Sequence, residues 1–162
     1  MRIDKEELIK LLKEHRENKS KLELRKIEKK RLEDELHELS TEADKNMSAK
    51  YEINSDIRSK NSITNKTENI IIHKENEKES IKKQIKELKD EINKLKELVR
   101  QAEIRLNSLY YKEREILTAY YVDNREADEI GRNLYFQLYN RTCTADNIYR
   151  IVKKATERIV NL

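Results

Sequence analysis

Nine apolar residues, Ile81, Ile85, Leu88, Ile92, Leu95, Val99, Ala102, Leu106 and Leu109, follow one another in steps of four and three without a break. That spacing keeps every one of them on a single stripe of an α-helix, with Glu and Lys filling the positions between. A helix with so narrow an apolar stripe cannot bury it alone, so a partner surface must exist. The absence of proline from all 162 residues, with Gly131 the only glycine, leaves nothing to interrupt long helices. Hydrophobic residues make up 36% and charged residues 42%, a balance that excludes an ordinary sheet-containing globule and fits long, paired helices. The expected fold is all-α. A long helical coiled coil, as a hairpin within the chain, a dimer between chains or both, precedes a small helical domain.

A second stripe runs from residue 4 to about residue 45 through Leu8, Leu11, Leu12, Leu22, Ile27, Leu32, Leu36 and Leu39, and slips between 22 and 32. His15 and His37 lie on or beside it as solvated or interface residues, since no cysteine or second histidine stands near enough to share a metal. From Asn46 to Asn65 the pattern weakens into Ser, Asn and Thr, whose side chains compete for backbone hydrogen bonds. This polar link reads as a loop with room for a short helix, able to reverse the chain, with Ile70, Ile71 and Ile72 opening the second helix. Composition changes again near Ser108: seven of the eight tyrosines and the single phenylalanine fall at residue 110 or later. Large aromatics belong to compact cores. The sequence therefore divides into a coil over 1–108, with its polar link near 46–65, and a small domain over 109–162.

No stretch approaches 18 uncharged apolar residues, so no membrane span is expected. The opening Met1-Arg-Ile-Asp-Lys-Glu-Glu7 leads directly into a charged amphipathic helix, which points to a cytoplasmic protein. Cys143 is alone and fits a small apolar filler better than a nucleophile. With no glycine-rich phosphate loop, no Cys/His pair at useful spacing and no isolated acid pair, neither enzyme, cofactor nor metal site is expected.

The net charge of +4 is modest, but from Phe136 to Leu162 five basic residues (Arg141, Arg150, Lys153, Lys154 and Arg158) stand against Asp146 and Glu157. The excess coincides with a helix pattern from Thr144. Its apolar face carries Ile148, Ile151, Val152, Ala155 and Ile159, and its outward face carries Ala145, Asp146, Tyr149, Arg150 and Lys153. An earlier helix over Ala127–Leu134 would make the pair a helix-turn-helix whose second member reads DNA. In that arrangement Asp146, Arg150, Ala145 and Tyr149 are the base candidates. Arg150 could grip a guanine edge and Asp146 accept from cytosine. Asn147, Lys153, Lys154 and Arg141 are the backbone candidates. A plain amphipathic helix closing a bundle would show the same spacing.

Tyr111-Lys-Glu-Arg-Glu-Ile-Leu-Thr-Ala-Tyr-Tyr121, Glu129-Ile-Gly131 and Asn147-Ile-Tyr-Arg-Ile-Val-Lys-Lys-Ala155 together resemble region four of bacterial sigma factors. Ile148-Tyr-Arg-Ile151 and Lys154-Ala155, with Lys30-Arg-Leu-Glu-Asp-Glu-Leu36 and Lys66-Thr-Glu-Asn69 upstream, are similar to phage-encoded transcriptional regulators of the ArpU/RinA type. The resemblance covers roughly residues 22 to 162. It implies a phage or prophage regulator that binds promoter DNA and has RNA polymerase as a further partner, while the coil seam points to self-association. It also implies that Asp146 and Arg150 meet bases, with Asn147 and Tyr149 near the backbone. Two other functions fit the residues: a coiled-coil protein that docks on polymerase or another protein without reading DNA, and a phage DNA-packaging small subunit.

One departure stands out. Nine residues, Tyr135 to Cys143, occupy the joint where such a motif has a turn of three or four. Either they lengthen the first helix, burying Phe136 and Tyr139 and displacing the second, or they loop out and leave the motif's angle unchanged.

Overall fold

The computed structural model describes residues 3–53 and 63–160, with side chains at 3–41 and 72–160. All regular structure among these residues is helical. The long helices are α1 (Lys5–Ile53) and α2 (Ile63–Asn107). The shorter α3 (Tyr111–Leu117) ends in a π-helical turn over Thr118–Val122. Next, α4 starts at Ala127–Glu129, widens into a π-helical segment over Ile130–Leu134 and closes with Tyr135–Tyr139. Last comes α5 (Ala145–Val160). No helix among the described residues is long and apolar enough to cross a membrane.

The polar link is shorter than its composition suggests. Helix persists to Ile53 and resumes at Ile63, so of the expected loop over 46–65 only 54–62 lie outside the described residues. Ser, Asn and Thr cost a helix only some tenths of a kcal/mol each, and without glycine or proline those penalties do not break one.

The chain forms two compact units: Met1–Leu22 with Asn93–Leu162, and Glu23–Ile92. Their division does not follow a cut at residue 108. In the unit of residues 23–92, Leu32 packs with Ile81, Ile85 and Leu88, and Leu36 and Leu39 close over them. The α2 seam is thus covered here by α1 of the same chain. Arg25 reaches Glu91 of α2 at 2.9 Å, and Lys29 bonds Glu33 within α1. Leu24, Ile27 and Ile72 remain exposed.

The other unit has a larger core. Leu8, Leu11 and Leu12 at the start of α1 join Ala102 and Leu106 of α2 and Leu109 just after it. These meet Ile116, Leu117 and Ala119 of α3, Ala127, Ile130 and Tyr135 of α4, and Ile148, Val152, Ala155 and Ile159 of α5. Leu8 and Leu12 are wholly buried. The aromatic-rich end therefore does not build its core alone, because the first turns of the chain supply part of it.

Counting from Leu8 in steps of three and four shows why α1 looked irregular. The positions are 8, 11, 15, 18, 22, 25, 29, 32, 36 and 39, so the spacing is kept although no buried apolar residue stands between Leu22 and Leu32. His15, Asn18, Arg25 and Lys29 stand at four of them. Asn18 is buried, His15 and Lys29 are half-buried and Arg25 is exposed, as is Ile27, counted on the stripe from sequence. The His15 Nε2 lies 3.8 Å from Glu103, too far for a hydrogen bond, and is otherwise unpartnered. Burial pushes this imidazole below the ordinary value of 6.5, and nearby Glu103 only partly offsets that.

Candidate nucleic-acid interface

Two local devices place α4 and α5. The first is the π-helical segment of α4. Ile130 and Tyr135 are both buried although five residues apart, a step that an α-helix of 3.6 residues per turn would rotate out of register. The wider turn brings Tyr135 inward, where its ring stacks on Tyr139 at 4.4 Å. Phe136 is left 52% exposed, and Tyr139 is half-buried. The nine-residue joint is thus divided. Five of its residues extend the first helix by little more than a turn, with Tyr135 rather than Phe136 as the buried member.

The second device is the turn that remains. Asn140 adopts a left-handed backbone (φ 55°), which asparagine tolerates better than most residues, and ends α4. At the far end the Thr144 carbonyl accepts from the Ile148 N–H and opens α5. Between them Cys143 folds back on α4, its N–H donating to the Gly131 carbonyl at 3.1 Å. A methyl group on Gly131 would overlap the Cys143 carbonyl oxygen. Gly131 therefore admits the returning chain. Burial raises the Cys143 thiol above its ordinary value, which disfavours the reactive thiolate.

The faces of α5 are sharply divided. Ile148, Val152, Ala155, Thr156 and Ile159 are buried, and the Thr156 hydroxyl donates to the Val152 carbonyl at 2.7 Å. Asp146, Asn147, Tyr149, Arg150, Lys153 and Lys154 are exposed, as is Arg141 in the turn. Of the five basic residues in this region, Arg158 is spent internally. It pairs with Glu113 of α3 and lies over the Tyr110 ring, pinning the end of α5. Arg141, Arg150, Lys153 and Lys154 make no ion pair among the described residues. Four cations are thus left to solvent on one face and its adjoining turn.

Two expected base contacts sit differently from the rest. Ala145 is half-buried, and Tyr149 meets the edge of Tyr120 at a centroid distance of 6.1 Å. Tyr120 in turn meets Tyr121 edge-to-face at 5.0 Å. Ala145 and Tyr149 form one wall of a cleft of about 750 Å³ whose other walls include Ile9 and Lys13 of α1 and the segment Asn124–Asp128. Asn124, also left-handed (φ 53°), ends α3 there. Arg125 is held by Glu129 at 2.6 Å, while Glu126 and Asp128 carry negative charge at the start of α4.

Sequence reasoning missed the α1 wall of this cleft, because nothing local to residues 9–13 announces a neighbour more than a hundred residues away. Arg132, exposed on α4, was also passed over. No group of three or more His, Cys, Asp or Glu is placed to hold a metal ion among the described residues. Against known proteins, the chain matches no family model, no curated protein and no solved structure.

Proposed function

We propose that α4 and α5 act as a helix-turn-helix that binds double-stranded DNA, and that the protein is a transcription regulator of the phage type its sequence resembles. The observation that carries this reading is the exposed face of α5, where Asp146, Asn147, Arg150, Lys153 and Lys154 project from a helix whose other face is locked in a core. A rigidly held helix loses little freedom when it enters a groove. Its free cations gain from releasing the counterions condensed on DNA. Arg150 offers paired donors suited to a guanine edge, and Asp146 an acceptor suited to cytosine. The turn between Asn140 and Thr144 is close in length to that of standard motifs.

Self-association belongs in this account to residues 23–92. There the intrachain seam is satisfied, and Leu24, Ile27 and Ile72 are apolar surface in excess of it.

Fluorescence anisotropy with labelled promoter-length duplexes tests the proposal. Wild-type protein should discriminate one sequence from scrambled competitor, and Arg150→Ala should reduce that discrimination by about 1–3 kcal/mol. Sequence-blind binding unchanged by Arg150→Ala would remove the claim of base reading.

A second reading is favoured by the acids at the start of α4, Glu126 and Asp128, which repel phosphate. In it the same domain docks on RNA polymerase or another protein without reading DNA. Polymerase capture that persists in nuclease-treated samples, and in the Lys153→Ala/Lys154→Ala variant, would select it.

A further inference from the structure

We propose that the DNA interface extends onto the first helix of the chain, with Lys13 of α1 holding the phosphate row that borders the groove read by α5. The inference rests on the DNA-binding reading above and adds a contact from outside the two helices of the motif.

The major groove of a duplex is about 12 Å wide and is bounded on both sides by phosphates. A helix with its side chains is about 10–12 Å across and fills it. Whatever protein surface flanks the inserted helix must therefore face one phosphate row or the other. On the side of Ala145 and Tyr149 that flanking surface is the cleft, and its opposite wall is α1 with Ile9 and Lys13 one helical turn apart.

Charge then selects the residue. The cleft walls carry two cations and two acids: Lys13, Arg125, Glu126 and Asp128. Arg125 is neutralised by Glu129 through bonds of 2.6 and 2.9 Å. Lys13 is exposed and makes no ion pair among the described residues. It is the one cation lining the cleft whose charge is not already answered. Glu126 and Asp128 repel a strand from the α4 side, which directs it to the α1 wall. Because Leu8, Leu11 and Leu12 anchor this part of α1 in the same core as α5, the two walls belong to one compact unit.

The test is the salt dependence of duplex binding for wild type, Lys13→Gln, Lys13→Arg and Lys96→Gln. The last removes the same charge from an exposed position on α2 that does not line the cleft. Losing one phosphate contact lowers the slope of log K against log salt by about one. The affinity ratio between 50 and 200 mM salt should then shrink about three- to fourfold for Lys13→Gln, with wild-type slopes for Lys13→Arg and Lys96→Gln. Equal slopes for Lys13→Gln and wild type would overturn the extension while leaving DNA binding standing. Wild-type protein that binds no duplex at either salt would overturn the underlying reading and the extension with it.

Discussion

Gly131→Ala opposes two effects whose sizes can be compared. Alanine in a helix is favoured over glycine by about 1 kcal/mol, so on propensity alone the substitution stabilises. At this position the added carbon would overlap the Cys143 carbonyl oxygen and stand 3.3 Å from its carbonyl carbon. The obstacle is backbone, held in place by the Cys143 N–H bond to Gly131, so relief requires moving the turn rather than rotating a side chain. Overpacking of this kind costs about 1–3 kcal/mol. Losing the hydrogen bond adds about 1 kcal/mol. Set against the propensity gain, the net expectation is a loss of about 1–3 kcal/mol, with about 4–8 °C of Tm for each kcal/mol in a unit of this size. Urea unfolding followed by tyrosine fluorescence reads it directly, since the chain has no tryptophan and most tyrosines lie in this unit. A variant as stable as wild type, or more so, would refute the close approach of turn and helix.

Leu12→Ala should destabilise the unit that contains α5 by about 2–5 kcal/mol, because Leu12 is wholly buried in the shared core. Hydrogen exchange at α5 amides should quicken, whereas unchanged protection would detach α1 from that core. His15 sets a pH dependence. Its folded value is depressed, so the unfolded chain binds the extra proton first, and stability complete above about 6.5 is lost as pH falls below it. The difference in urea midpoint between wild type and His15→Gln should therefore change between pH 7.5 and 5.5, and a pH-independent difference would contradict the burial. Under the self-association proposed for residues 23–92, Leu24→Glu/Ile27→Glu should shift sedimentation velocity toward the monomer without unfolding the chain, since both side chains are exposed. An unchanged sedimentation profile would place association elsewhere.

The α2 stripe was legible because every one of its positions is apolar: Ile81, Ile85, Leu88, Ile92, Val99, Ala102, Leu106 and Leu109 are buried and Leu95 is half-buried. The α1 stripe was harder to follow because polar residues occupy four of its positions. Arg25 and Lys29 can lay aliphatic stems along a seam while their charged ends reach Glu91 and Glu33. A count held strictly to three-four steps from Leu8 would have found them. The cut at residue 108 followed the aromatic residues, a local signal, whereas the contribution of Leu8, Leu11 and Leu12 is long-range and leaves no local mark. The π-helical step from Ile130 to Tyr135 could not be read from a search for α-helical or strand periods. For the same reason the helix-lengthening alternative for the joint placed Phe136 and Tyr139, rather than Tyr135, inward. Among the candidate contacts, exposure on α5 followed from the apolar stripe. The partial burial of Ala145 and the engagement of Tyr149 with Tyr120 depend on neighbours from α1 and α3.

Under the proposed function the exposed face of α5 reads base sequence. Selection of bound duplexes from a randomised library, repeated with Arg150→Ala, tests it most directly. The account predicts a short enriched motif in which one position, a guanine opposite Arg150, loses its preference in the variant while the neighbouring positions keep theirs. Enrichment of no motif by the wild type, or an identical motif for both proteins, would contradict it.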